Sequence, residues 1–303
     1  MPQSTNWSLV SKSIVESTTV NHRLTWPDAA KGLCIALVVL SHLTSKHYAN
    51  LDWGVSAAVQ TFWLGLGEFL SPLRMPLFFA ISGYFASRYA TKSWHEVWKR
   101  RLLGPYYLYL IWYLIHAVFF SLDLPISTNL PSNTSQFILG FGFAFTSLWY
   151  LYALPVYFAI TKLSNKFRRL ALTIAAALTI FAGLFSLPGN GASVVENLIY
   201  FMVAAFAPQA IDNWSKRSSW ASLAKLLTLF ILSSATLSAA TYVVLSKEID
   251  DPLITASVGL ANLLVGLLGV RTGICVFSAM ARKLPRLTRL QAIVGRNTLP
   301  VYV

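Results

Sequence analysis

Lys31 and His42 stand on one face of an otherwise apolar run, "DAAKGLCIALVVLSHLTSKHY", residues 28–48. On a helix, a spacing of eleven residues covers roughly 16 Å of rise and about 20° more than three full turns, so both side chains point the same way. A neutral imidazole in that position has two chemistries open to it. It can act as a general base that takes a proton from a hydroxyl near pH 7, or as a nucleophile that carries an acyl group transiently. The plainer account of His42 is a hydrogen bond to a neighbouring helix, or a place at a water interface beside Ser41, Thr44 and Ser45. For Lys31 it is a headgroup anchor paired with Asp28. Their shared face makes the chemical reading competitive.

Arg74 is the next such residue. It lies in "EFLSPLRMPLFFAISGYFASR", where Pro72 and Pro76 interrupt the helical pattern. A guanidinium there suits a phosphate or a developing oxyanion, and the alternative is a pair with Glu68, six residues earlier. "WKRRLLGPYY", residues 98–107, sets Lys99, Arg100 and Arg101 side by side. At a cavity mouth these would hold the phosphates of a coenzyme; elsewhere they are topology determinants. "SLWYLYALPVYF", residues 147–158, reads as interfacial aromatics. Cys34 and Cys275 have no Cys-x-x-Cys or His spacing, so no metal or disulfide is expected. No Gly-x-Ser-x-Gly elbow, Walker loop, His-Glu-x-x-His or dinucleotide fingerprint is present.

The elements that position these residues are membrane helices. Of 303 residues, 55% are hydrophobic and only 12% charged, roughly half the charged fraction of soluble domains. Apolar runs long enough for ~30 Å of hydrocarbon recur along the chain. Spans are expected near 29–46, 56–87, 102–121, 137–161, 170–187, 193–211, 225–245 and 253–281, with a ninth opening near 291. The run 56–87 exceeds one straight span, so a broken or re-entrant start is expected, tolerated where backbone lines a cavity or is buried.

The net charge of +13 is distributed by loop. Arg88, Lys92, Lys99, Arg100 and Arg101 fall on one side, followed by Lys162, Lys166, Arg168 and Arg169. Lys216, Arg217, Lys225, Arg282, Lys283, Arg286 and Arg289 join them. The other side has Lys46 and Lys247 among acidic residues. The positive-inside rule then places the N-terminus in the cytoplasm, and the basic excess faces anionic lipid in preference to nucleic acid. His42, Glu68, Arg74, His116, Glu196 and Arg271 remain at membrane depth, with Lys31 and Arg296 near the cytoplasmic boundary. Each needs a partner, a wet cavity or a function. Nothing nearby supports His116 or Glu196, which read as structural, and Arg271 in "GVRTG" reads as a helix break or a buried pair.

The ordered motifs resemble the membrane acyltransferase-3 family. "KGLCIALVVLSH", preceded by "WPD", is similar to its first-helix hallmark of Lys or Arg followed by His after ten residues. "MPLFFAISGYF", "KRRLLGPYY", "LWYLYALPVYF" and "GRNTLPVY" resemble its later segments, in order, over residues 23–303. The resemblance implies an all-α polytopic bundle of about nine to ten helices. Such a bundle moves an acyl group, usually acetyl, from cytoplasmic acyl-CoA to a hydroxyl of a cell-envelope saccharide or glycolipid. His42 would be the catalytic histidine and Lys31 its cationic partner. Arg74, Arg100 and Arg101 would hold donor phosphates or polarise the thioester. Ser82 would shape the cavity, and Lys99 and Trp149 would stand with the donor-binding residues.

Lys at position 31, where many relatives have Arg, loses a bidentate fork and keeps the charge. The family also continues past the last tyrosine with a histidine-bearing segment and one further helix, so the natural protein is expected to extend beyond Val303. The expected organisation is a polar cytoplasmic segment over 1–28 and a transmembrane acyltransferase domain over 29–303, in a bacterial inner membrane. The expected partners are acetyl-CoA as donor, an envelope carbohydrate or glycolipid and the lipid bilayer, with no metal and no nucleic acid. The oligomeric state, a homo-oligomer included, stays open. The rival class is a transporter or flippase of the same carbohydrate, which broken helices and midplane charges also fit.

Overall fold

Proline and glycine decide where the helices begin, break and meet. The computed structural model describes residues 24–44, 57–120, 134–216, 219–248 and 250–296, and every regular element among them is helical. The expectations over most of the 1–28 segment and over 297–303 lie outside the described residues, as does Asn133, which opens a three-residue sequon match on which nothing rests. Helix α1 (Thr25–His42) starts four residues before the expected span, with Trp26, Pro27 and Asp28 already buried. Pro27 sits in the first turn, where a missing N–H costs nothing.

The run 56–87 is broken as expected, but by one residue. Helix α2 (Ala57–Phe69) ends, Leu70 takes φ −90° and ψ −4°, and α3 (Ser71–Ser87) begins with Pro72 in its first turn. A turn then leads to α4 (Trp94–Val97), opened by a reciprocal Ser93–Glu96 capping box. It is followed by a π-helical turn, Trp98–Leu103, and by α5 (Gly104–Phe120).

Three expectations need correction. The span 137–161 is two helices, α6 (Thr134–Gly142) and α7 (Trp149–Leu163), with residues 143–148 irregular between them. The loop expected around 162–169 is a 3-10 turn, Ser164–Phe167, that joins α7 directly to α8 (Arg168–Phe181). The span 193–211 bends by 79° between α9 (Gly191–Phe206) and α10 (Pro208–Lys216), because Pro208 biases Ala207 away from helical geometry. The chain closes with α11 (Trp220–Ser246), α12 (Pro252–Lys283) and α13 (Pro285–Arg296). Among the described residues, Thr61–Ser87, Trp149–Leu184, Trp220–Ser246 and Pro252–Lys283 are long and apolar enough to cross a membrane. The α9–α10 pair, taken together across its bend, passes the same measure as a broken span or a re-entrant loop.

Tyrosines of α5 bond the last carbonyls of α6 and the start of the irregular stretch 143–148, whose Ala144 and Thr146 carbonyls accept from the Asn190 side-chain amide at 2.8 and 3.0 Å. Tyr106, Tyr109 and Tyr113 recur at helical spacing on α5, and their phenols face α6. Tyr106 donates to the Phe141 carbonyl at 2.7 Å and Tyr113 to the Phe137 carbonyl at 2.8 Å. The buried Tyr109 hydroxyl lies 2.7 Å from the Gly140 carbonyl and 2.6 Å from that of Phe143. It also accepts from the Phe145 N–H at 3.3 Å. The Tyr109→Phe variant is therefore expected to lose about 1–3 kcal/mol of stability, because buried polar groups are left unpaired. A thermal melt in detergent checks this; an unchanged midpoint would show that the carbonyls find other donors.

Lipid offers helices little hydrophobic drive to associate, so close approach through small residues matters. Helix α3 is central, packed on α1, α9 and α12. A Cβ on Gly83 would stand 2.1 Å from the Phe201 carbonyl oxygen, so α3 meets α9 backbone to backbone. Helices α1 and α13 do the same from both sides. A Cβ on Gly32 would be 2.4 Å from the Gln291 oxygen, and one on Gly259 of α12 would be 2.1 Å from the Ile180 oxygen of α8. Around these contacts Phe79, Trp149, Tyr157 and Phe201 form one aromatic core, with ring centroids 5.0 to 5.7 Å apart.

Candidate functional site

Where α1, α3 and the π-helical turn converge, they enclose a cavity of about 640 Å³. Leu24, which precedes α1, and Asp28 and Lys31 within it form a stripe at helical spacing. Helix α3 adds Ser82, Phe85 and Ala86, and the turn after it adds Arg88 and Tyr89. Arg100 and Arg101 come from the π-helical turn. Gly295 of α13 forms part of the wall, because its missing side chain lets α13 sit against the Asp28 carbonyl.

Aromatic faces hold the cations. The Lys31 ammonium is 5.5 Å from the ring centres of both Phe78 and Phe85. The Arg101 guanidinium lies 4.1 Å from the centre of the Tyr89 ring. Arg88 lies 5.9 Å from the Tyr84 ring and 5.7 Å from that of Phe85. A hydrogen bond from Arg101, reinforced by its charge, holds the Tyr89 phenol below its ordinary value. Ser82 donates to the Phe78 carbonyl at 2.9 Å, a bond that uses its hydrogen and leaves its oxygen able to accept. Three guanidinium groups and one ammonium around a single carboxylate, Asp28, suit a polyanion, and planar guanidinium forks suit phosphate.

Of the residues singled out from the sequence, Lys31, Ser82, Arg100 and Arg101 thus meet in one cavity, although some seventy positions separate Lys31 from Arg101. Lys99 is exposed and Trp149 packs on Phe79, 5.5 Å between ring centres; neither lines the cavity. His42 is half-buried at the other end of α1, and it too is outside the cavity lining. Ile35 and Val38, on the stripe between Lys31 and His42, are buried in the core.

Arg74 lines a separate small recess with Leu37 and Ser41 of α1, Thr44 just beyond its end, and Trp63 and Gly67 of α2. It donates to the Gly67 carbonyl at 3.4 Å. Lys31 sits level with Phe78 and Phe85 while Arg74 faces residues 37–44. The antiparallel register of α1 and α3 therefore puts Arg74 near the turn that carries His42. Arg271 neither breaks α12 nor is buried: it is exposed, with its guanidinium 5.9 Å from the centre of the Trp214 ring.

Sequence reasoning missed Arg88, Tyr89 and Gly295 as cavity residues. Arg88 read only as a loop charge, and Gly295 only as part of "GRNT". Proximity of Arg88 to "SGYF" was the available signal.

A family model described as an acyltransferase domain matches residues 24–303. The inner membrane protein YcfT of Escherichia coli is 32% identical over 200 residues, covering 60% of this chain and 55% of that protein. The nodulation protein NolL of Mesorhizobium japonicum is 31% identical over 160 residues, covering 50% of this chain and 39% of that protein. A glucans biosynthesis protein C of Salmonella paratyphi B is 35% identical over 83 residues, covering 26% of this chain and 21% of that protein. The chain thus spans about half, or less, of the length of these curated relatives. No solved structure matches it.

Proposed function

The chain belongs to the acyltransferase-3 family, and from that premise we propose that it is an integral inner-membrane O-acyltransferase. Its donor is an acyl-CoA, by preference acetyl-CoA, and its acceptor is a hydroxyl of an envelope saccharide or glycolipid. The single observation that carries the reading is the cationic cavity joining Lys31, Arg88, Arg100 and Arg101 at the Lys/Arg-rich end of the bundle. That chemistry fits the phosphates of a coenzyme approaching from the cytoplasm. Relatives named for an inner membrane, for nodulation and for glucan biosynthesis support the location and the carbohydrate class.

In the proposed reaction His42 takes the proton of the acceptor hydroxyl as its oxygen attacks the thioester carbonyl. Arg74, facing the same end of α1, stabilises the tetrahedral oxyanion. The intermediate collapses with cleavage of the carbon–sulfur bond, and the imidazolium returns the proton to the departing coenzyme thiolate. An ester and a free thiol result. Lys31 and the arginines hold the donor by its phosphates. From Lys31 the acyl end has to extend roughly 16 Å along α1 to meet His42. Ile35 and Val38 on that path are packed in the core here, so the core has to open along that face for transfer.

Purified protein in vesicles, given labelled acetyl-CoA and envelope glycans, tests the reading through acetyl ester formation. A transporter of the same glycan would leave the label on the donor. The Arg101→Ala variant is expected to raise the acetyl-CoA KM about 10- to 100-fold, the cost of losing a charge-assisted hydrogen bond, with kcat little changed. An unaltered KM would remove the cavity from the donor site.

A further inference from the structure

We propose that Lys162 is a positioning residue that sets the arginine platform of the cavity by anchoring the turn between α3 and α4. The inference rests on the donor reading of the cavity. By sequence Lys162 is one more topology-determining loop charge, yet in the fold it is engaged on three sides. From the last turn of α7 its ammonium donates to the Ala90 carbonyl at 3.2 Å and to the Lys92 carbonyl. It also stands 5.2 Å from the centre of the Trp94 ring.

The anchored turn is short and otherwise closed on itself. The N–H groups of Tyr89, Ala90 and Lys92 bond to the carbonyls of Ala86, Ser87 and Tyr89. The Ser93–Glu96 capping box starts α4 immediately beyond. Lys162 reaches this turn from a helix some seventy residues away in sequence, so it ties the turn to the body of the bundle. The turn carries Arg88 and Tyr89, both in the cavity wall, and the Tyr89 ring is the face on which Arg101 rests at 4.1 Å. The chain of contact is Lys162, turn backbone, Tyr89 ring, Arg101. An ammonium suits the task because it directs several donors at neighbouring carbonyls while one face meets an indole.

The test uses the full chain in vesicles. Lys162→Met keeps the aliphatic stem and removes the donors; it is expected to raise the acetyl-CoA KM about tenfold with kcat within about twofold. Lys162→Arg should restore the wild-type KM. Tyr89→Leu, which removes the platform itself, should give a similar KM rise, and the double variant Lys162→Met/Tyr89→Leu should show little beyond it. Melting temperatures in detergent accompany each kinetic measurement. Should Lys162→Met not accumulate, Lys162→Gln, which cannot reach both carbonyls, takes its place with the same rise in KM expected and the same outcomes overturning the role.

A wild-type KM in Lys162→Met, a fall in kcat with unchanged KM, or full additivity of the two changes overturns the positioning role. The same holds for a raised KM in Lys162→Arg, or an unchanged one in Tyr89→Leu. Wild-type protein with no response to acetyl-CoA overturns the donor reading itself, and the positioning role with it.

Discussion

Replacing His42 by alanine is expected to abolish acyl transfer while the protein accumulates in the membrane and still binds acetyl-CoA. General-base catalysis contributes about 10²- to 10⁴-fold, so residual ester formation should fall at least into that range. The structure sharpens the prediction. His42 is half-buried at the end of α1 opposite the cavity and does not line it. Loss of the ring should therefore leave donor affinity and its dependence on Arg100 and Arg101 untouched. A truncation at a half-buried position also carries a small folding cost. His42→Gln keeps polarity without basicity and should be as inactive as His42→Ala, whereas a structural role would let glutamine rescue. Retained transfer in both variants would remove the histidine from the mechanism and leave the family assignment standing.

Gly83→Val is expected to prevent stable folding, because it drives two backbones apart at the centre of the bundle. The Cβ alone would meet the Phe201 carbonyl oxygen at 2.1 Å, its carbon at 2.9 Å and the Phe201 Cα at 3.1 Å. All three are backbone atoms, so no side chain can rotate aside, and α3 and α9 must separate. The displaced helix also carries Ser82 and Phe85 into the cavity wall. Beside them, Tyr84 donates to the Asp212 carboxylate at 2.7 Å. Overpacking of this kind costs about 3 kcal/mol or more when nothing can yield. Membrane abundance and the melting midpoint should both fall. Gly65→Val is the matched control, because a Cβ there would meet nothing within 4 Å. Equal behaviour of the two variants would show that α3 and α9 do not pack as described.

Hydropathy and charge were enough to establish a helical membrane protein. In lipid only helices and closed barrels satisfy the backbone, and continuous apolar runs of this length do not fit the short alternating strands of a barrel. The ordered motifs were enough for the family, since each is a short stretch whose residue types survive without knowledge of its neighbours. The Lys31–Asp28 stripe was legible as well, because helical periodicity is a local property. The break near Arg74 could be anticipated from its prolines, though not its confinement to Leu70. The irregular stretch at 143–148 could not, because the groups that bond it, the Tyr109 phenol and the Asn190 amide, lie more than thirty residues away on either side in the chain.

Only the tertiary structure decided which residues meet. Arg74 and Ser82 lie eight positions apart on α3, yet the register with α1 sends one to a recess beside Ser41 and the other to the cavity beside Lys31. Arg88 and Lys162 look alike in sequence, each a basic residue next to a span, while one forms cavity wall and the other anchors the turn behind it. Gly32 and Gly295 are ordinary glycines apart and close together in space because each removes the Cβ that would hold α1 and α13 apart. Hydrophobic patterning is one-dimensional and summed over many residues, so a single chain displays it. Helix register is settled by a few close approaches between distant segments, and no local pattern encodes them.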